Sequence, residues 1–343
     1  MEQVVTFPSG QVRYLFESAF SKIWEMFGPD EVIFITDSNV AEAHPALFEG
    51  KQTIVLPFGE YSKSLSKIED IVMKLMDMEA TRSSVLIGVG GGVVTDITGF
   101  VAAIYMRGVQ FGFVPTTVLG MVDAAIGGKN GVNINTFYKN IAGTVTQPHF
   151  ILYDTQLLQT LPLSEWSNGF AEIIKYACLF DAPLFEELSQ RDLNYYRHNQ
   201  QAMQQLITRC ADWKNKVVVA DEHEKGERKL LNFGHTAAHA IENFYELPHG
   251  QAVALGMIIA ATLSESHVGL SLEVTKRLRE ILVQYGLPIK LAIDVKQTME
   301  TLKKDKKRKG DTVDYILLEA IGKGVIHPLT FDVVEKAISK CAQ

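Results

Sequence analysis

The chain has 343 residues, 47% hydrophobic and 21% charged, enough for a large core in one or two domains. A net charge of −7 at pH 7 has the wrong sign for a dedicated nucleic-acid binder, and any anionic ligand then needs a local basic pocket. The most apolar run, AVALGMIIAATL at 252–263, is too short to span a bilayer and reads as a buried helix, so no membrane partner is expected. Three scattered cysteines, Cys178, Cys210 and Cys341, and an opening MEQVVTFPSG without signal-peptide character give a cytoplasmic chain with free thiols as the expectation.

In chain order, EVIFITDS and QTIVLPF read as buried parallel strands. SLSKIEDIVMKLMDME places Leu65, Ile68, Ile71, Val72, Leu75 and Met76 on one helical stripe. SSVLIGVGGG is a third strand running into glycines, VTDITGFVAAIYM a mostly apolar helix, and VQFGFVPTT and HFILYDT further strands. This alternation predicts a parallel sheet covered by helices. From about Leu163 the texture becomes helical: SEWSNGFAEIIKYACLF, PLFEELSQRDL, NQQAMQQLITRCADWKNKVVVADE, GHTAAHAIENFY and SLEVTKRLREILVQYG. Only DYILLEAIGKGVIHPL looks like a small hairpin. A boundary at LPLS predicts an α/β domain over 1–162 and a mainly helical domain over 163–343, with a ligand in the cleft between them.

VLIGVGGGVVTDITGF is a strand, three glycines (Gly90, Gly91, Gly92) and a helix. Glycines let backbone approach a pyrophosphate, and the free N–H groups of the helix start receive its charge. Val93 occupies the place of the last glycine of the dinucleotide fingerprint, and a tight turn that binds nothing fits the same residues. Asp96 suits either a cap or a ribose hydroxyl. Further on, VPTTVLGMVDAAIGGKNGVNI gathers Thr116, Thr117, Asp123, Gly127, Gly128 and Lys129, either a polar loop or a second wall that offers Lys129 to an anion.

NFGHTAAHAIE carries His235 and His239 four apart, so both rings can share a helix face. LPHGQAV adds His249 at a helix start, and GFAEIIKYA adds Glu172 and Lys175 at i, i+3 among apolar neighbours that would leave a carboxylate in need of a cation. Two histidines and a glutamate make a catalytic zinc set. A helical HxxxH pair is more often two surface or hydrogen-bonded core histidines, and HTAAH has no built-in general base. Arg107, Lys139, Asn140, Arg228 and Asn232 scatter polar and cationic groups over both halves, and KKDKKRKG at 303–310 is a solvated loop or a lid over an anion.

Taken together, GGGVVTDITGFVAAIYMRG, VPTTVLGMVDAAIGGKNGVN, GFAEIIKYA, NFGHTAAHAIE, LPHGQAVALGM and the DKK near 305 resemble the 3-dehydroquinate synthase family, in that family's order and over nearly the whole chain. The resemblance implies a Rossmann-like NAD-binding domain, a mainly α-helical metal- and substrate-binding domain, and a homodimer. It implies NAD and zinc (or cobalt) as cofactors and a small sugar phosphate, 3-deoxy-D-arabino-heptulosonate 7-phosphate, as substrate. Transient oxidation, loss of phosphate, re-reduction, ring opening and an internal aldol then give 3-dehydroquinate, the second step of the shikimate pathway. Carried over by motif, Glu172, His235 and His249 bind the metal. NAD meets Asp37, Asn39, Glu60, Lys63, Gly90, Gly91, Gly92, Asp96, Thr116, Thr117, Lys139 and the neighbouring Lys129. Phosphate meets Lys129, Asn140, Lys175 and His239, with Arg107 supplied by a second copy. Carboxylate and hydroxyl contacts fall to Asp123, Lys214, Arg228, Asn232 and Lys306. Tyr138 stands where the family commonly has glycine, and VDAAIGG has alanines where serines are usual. The competing readings are a sister cyclase acting on sedoheptulose 7-phosphate and a metal-dependent polyol or glycerol-phosphate dehydrogenase.

Overall fold

The computed structural model describes residues 1–134, 138–303, 308–309 and 311–341. The chain divides into two compact units, one of Met1–Pro162 with Gln200–His223, the other of Leu163–Asn199 with Glu224–Gln343.

The first unit is built on a seven-stranded sheet ordered β1-β2-β9-β6-β5-β3-β4. β1 (Glu2–Phe7) and β2 (Gly10–Leu15) form an antiparallel hairpin at one edge. β3 (Val32–Asp37), β4 (Thr53–Leu56), β5 (Val85–Gly90), β6 (Gln110–Pro115) and β9 (Phe150–Leu152) run parallel. A separate antiparallel pair, β7 (Lys129–Ile134) and β8 (Tyr138–Val145), lies outside this sheet. The β-branched runs form central strands because both faces are covered: all six residues of β5 and the first five of β3 are buried. The core gathers Val32, Phe34, Val85, Ile87, Val114, Phe150 and Leu152.

Short helices α1 (Ile23–Met26) and α2 (Ser38–Ala43) precede α3 (Leu65–Asp77) and α4 (Gly92–Ile104). α3 buries Ile68, Ile71 and Leu75, whereas Leu65 and Met76, expected on the same stripe, are exposed at its two ends. From β3 the chain steps outward to β4 and returns to β5 on the other side of β3. Strand order therefore reverses between β3 and β5, the place where doubly wound sheets bind ligands beyond their carboxyl ends. Thr36 Oγ1 donates to Val89 O at 2.8 Å and joins these two strands.

α5 (Leu163–Phe180), α6 (Ala182–Ser189) and α7 (Leu193–His198) open the second unit, and α8 (Gln200–Ala220) then returns to the first. The sequence reading placed all of 163–343 together. α8 instead joins the first unit because buried Tyr14 of β2 donates to Asn215 at 2.6 Å and Lys214 pairs with Asp123. Amphipathic spacing shows that a helix has a buried face, not what covers it.

The second unit continues with α9 (His235–Tyr245), α10 (His249–His267), α11 (Leu272–Gln284), α12 (Val295–Lys303) and α13 (Phe331–Cys341). It also holds a three-stranded antiparallel sheet of β10 (Arg308–Lys309), β11 (Thr312–Ala320) and β12 (Lys323–Thr330). α10 is buried at nearly every position after its first turn, as its apolar run predicts. Among the described residues no helix is long and apolar enough to cross a membrane.

Candidate active site

In the first unit the carboxyl ends of β3, β4, β5 and β6 carry the expected nucleotide residues. Gly90 ends β5, Gly91 caps α4 and Gly92 begins it, so the first N–H groups of a thirteen-residue helix open beside the glycines. A Cβ at Gly90 would lie 2.5 Å from the Val94 side chain, so only glycine keeps the strand and helix this close. Thr116 N donates to Gly90 O at 3.0 Å, and Thr117 Oγ1 accepts from Gly120 N at 2.9 Å. Asp37 sits at the end of β3, where its carboxylate accepts from Val40 N at 3.0 Å and caps α2; Asn39 is exposed one residue into that helix.

Lys63 organises a polar cluster. Its buried ammonium donates to Asp96 Oδ2 at 2.5 Å and Asn140 Oδ1 at 2.7 Å, with Glu60 at 3.9 Å. Burial pushes the Asp96 carboxyl up, and Lys63 opposes it. Asn133, which sequence reasoning missed, donates to Glu60 at 2.8 Å and accepts from Asn140 N at 2.8 Å, tying β7 and β8 to the residues after β4. Asn140, expected at phosphate, thus meets the nucleotide-side residues directly, in a left-handed conformation (φ 54°). Asn133 belongs to a polar loop-like run, so nothing in spacing distinguishes it.

Asp123 and Lys214, 91 positions apart, meet: the ammonium is 3.0 Å from Oδ1 and donates to the Asp123 carbonyl at 2.6 Å. Lys129 is exposed at the start of β7, and Lys139 is half-buried in β8. Arg107 is exposed in the turn between α4 and β6, where Met106 (φ 47°) and Arg107 (φ 70°) both take left-handed conformations.

In the second unit, α5 carries Glu172 and Lys175, both buried, with the ammonium against Glu172 Oε2. His235 is the first residue of α9 and His249 the first of α10. Gly234 precedes α9 with φ 79°, where a Cβ would stand 2.9 Å from Val253 O, and a Cβ at Gly250 would run into the Asn168 carbonyl. Gly250 lets the start of α10 close on α5, and Gly234 lets the start of α9 close on α10. Glu172 Oε1 is then 3.1 Å from His249 Nε2 and 3.4 Å from His235 Nε2.

Donor atoms of Glu172, His235 and His249 all lie within 4.8 Å of one another, and among the described residues they form the one such group. His239 is outside it, its ring 5.6 Å from that of His235. The protons decide what the group can hold. His235 Nδ1 is 3.1 Å from Phe233 O, and His249 Nδ1 is 3.2 Å from Glu242 Oε2. A carbonyl and a carboxylate only accept, so each Nδ1 carries a hydrogen and each ring turns its Nε2 toward Glu172. In the metal-free site a proton on His249 Nε2 bridges to Glu172 Oε1; a metal ion would take that proton's place and receive three converging lone pairs. Buried Glu172 Oε2 also accepts no well-directed hydrogen bond. Burial raises Glu172, yet Lys175 and His235 hold it well below the usual carboxylate range. Burial lowers His249, but Glu172 and Glu242 overcome it and push it up to about 10, whereas burial keeps His235 low. The residues fit a divalent metal with two nitrogen donors and one oxygen donor, the zinc preference.

Arg228 is buried, and Asn232 Nδ2 donates to Glu224 Oε1 at 2.5 Å and Lys229 O at 3.1 Å. Lys306 lies outside the described residues. Sequence reasoning missed Glu242 and Glu224. Glu242 had a legible signal: it follows His235 by seven positions, two turns along the same helix face.

Models of the 3-dehydroquinate synthase N-terminal and C-terminal domains match residues 53–168 and 169–308. A 3-dehydroquinate synthase of Pyrococcus furiosus is 40% identical over 84% of this chain and 84% of its own length. One of Campylobacter jejuni is 42% identical over 78% of each. Among solved structures, a 2-deoxy-scyllo-inosose synthase complexed with carbaglucose-6-phosphate, NAD+ and Co2+ superposes with a TM-score of 0.88 at 23% identity, covering 99% of this chain and 100% of that one. ValA, a 2-epi-5-epi-valiolone synthase from Streptomyces hygroscopicus with NAD+ and Zn2+ bound, gives 0.87 at 24% identity, covering 99% and 98%. With both domain models matched and relatives of this identity along most of its length, the chain belongs to the 3-dehydroquinate synthase family.

Proposed function

We propose that this chain converts 3-deoxy-D-arabino-heptulosonate 7-phosphate to 3-dehydroquinate and phosphate, with NAD and a divalent metal, as a cytoplasmic homodimer. The observation that carries the reading is the convergence of Glu172 Oε1 with the Nε2 atoms of His235 and His249 inside a family of this activity. When bound, NAD supplies a transient hydride acceptor and the metal a Lewis acid for the neighbouring ring hydroxyl. Glu172, His235 and His249 would hold the metal. The Gly90–Gly92 turn with Asp37, Asn39, Glu60, Lys63, Asp96, Thr116, Thr117 and Lys139 would hold the dinucleotide.

The other residues bind and orient. Lys129, Lys175, His239 and the Nδ2 of Asn140 donate to the phosphate, and Arg107 does so from a second copy of the chain. Lys214, steadied by Asp123, joins Arg228, Asn232 and Lys306 on the carboxylate and hydroxyls. Charge-assisted bonds of this kind fix one substrate conformer, which makes the closing aldol effectively intramolecular. A hydride borrowed and returned leaves no net redox change. The relatives at about 40% identity favour the carboxylate-bearing substrate over those of the sister cyclases, whose solved members are 23–24% identical.

The test is a product assay with heptulosonate phosphate beside sedoheptulose 7-phosphate. Expected are equal amounts of phosphate and dehydroquinate from the first, little turnover of the second, and no NADH at steady state. NADH released in proportion to substrate would replace this reading with a dehydrogenase.

A further inference from the structure

α9 carries a metal-donor histidine at one end and, two turns on, a carboxylate against the other histidine. His235 rests its Nδ1 on a backbone carbonyl, which no side-chain substitution removes. His249 rests its Nδ1 on Glu242, a side chain 14% exposed, while its own ring is 30% exposed. Rotation or the other tautomer would present an N–H to Glu172 and close that nitrogen to a cation. Of the two imidazoles, then, His249 is the one whose lone pair depends on a side chain.

We propose that Glu242 is a positioning residue: by accepting the Nδ1 hydrogen it fixes the ring and tautomer of His249, so that Nε2 faces Glu172 with its lone pair free for the metal. The proposal rests on the metal-centre reading above. A partner of this kind typically contributes about 10- to 100-fold in metal affinity. It also makes a distinction a general structural role would not. Any oxygen acceptor at the same place preserves the tautomer, whereas an apolar side chain does not.

The experiment uses the full chain, stripped of metal and titrated with Zn2+ against a chromophoric chelator. Thermal unfolding of each metal-free variant is followed alongside, and the Co2+ absorption spectrum reads the ligand geometry. Glu242→Gln, whose amide oxygen can accept the same hydrogen, should bind Zn2+ within a few-fold of the natural chain and keep its Co2+ spectrum. Glu242→Ala should bind about 10- to 100-fold more weakly with an altered spectrum, its metal-free unfolding midpoint lowered by loss of the His249 pair but still well above the assay temperature. Glu242→Leu replaces the alanine variant if that one does not fold. Natural affinity in the apolar variant, or an equal loss in the glutamine variant, would overturn the proposal. His249→Ala separates the two readings: it must lose Zn2+ binding if the centre is as described, and unchanged binding there would sink the centre itself.

Discussion

A buried carboxylate among apolar residues is stable only when positive charge stands beside it, and Glu172 has that charge from Lys175 and His249. Glu172→Gln keeps the volume and removes the charge. The Lys175 ammonium then stays buried without its carboxylate, a loss that costs about 3 to 5 kcal/mol in comparable buried pairs. The expected outcome is a less stable metal-free protein in denaturant titration, together with loss of zinc by metal analysis and of activity. A variant with natural stability and one equivalent of zinc would contradict both roles at once. Much of this centre was legible in the sequence, since Glu172 and Lys175 fall one turn apart and His235 and His249 sit in glycine-marked helix starts. The place of Glu242 on the His235 helix face was legible too, but not its role, because that depends on which nitrogen of His249 faces inward.

α8 shows what element-level reading cannot reach. Its spacing marks a helix, but its place in the first unit is set by contacts with partners far away in sequence, Tyr14 and Asp123 on β2 and the segment before β7. The central strands β3 and β5 were legible because unbroken apolar runs suit a sheet covered on both faces. The β7–β8 pair was not, because glycine, asparagine and lysine dominate it. Just past α8, buried Glu222 accepts from Ser9 Oγ at 2.5 Å, Ser9 N at 3.1 Å and Gln147 Nε2 at 2.8 Å, anchoring the β1–β2 turn. Burial raises this carboxyl, but those three donors override it and hold it below its usual range. A depressed acid stabilises the fold above its unfolded pKa and loses that contribution as pH falls through the folded one. Glu222→Gln should therefore cost about 2 kcal/mol at pH 7, as hydrogen bonds to charged groups do. Its deficit against the natural chain should shrink as the pH drops below about 4.5. Urea unfolding at pH 7, 5 and 3.5 checks this, and a deficit that stays constant would refute the anchoring role of the charge.

At the scale of the whole molecule the residues proposed for the two cofactors divide between the two units. Every residue proposed to hold the metal lies in 163–199 or 224–343, and every residue proposed to hold NAD lies in 1–162. A ligand that binds only the folded state adds stability as its concentration exceeds its dissociation constant, about 2.7 kcal/mol at a hundredfold excess. For units of this size that corresponds to about 5 to 10 °C in the unfolding midpoint. Zinc should then stabilise by way of the second unit and NAD by way of the first, so the two effects are separable by mutation. His249→Ala should abolish the zinc shift and keep the NAD shift. Lys63→Ala, which removes the ammonium from Asp96 and Asn140, should weaken the NAD shift and keep the zinc shift. Thermal unfolding of the two variants and the natural chain with each ligand gives the full comparison. If either variant lost both shifts while remaining folded, the assignment of one cofactor to each unit would fail, and the site would have to be rebuilt from residues that serve both.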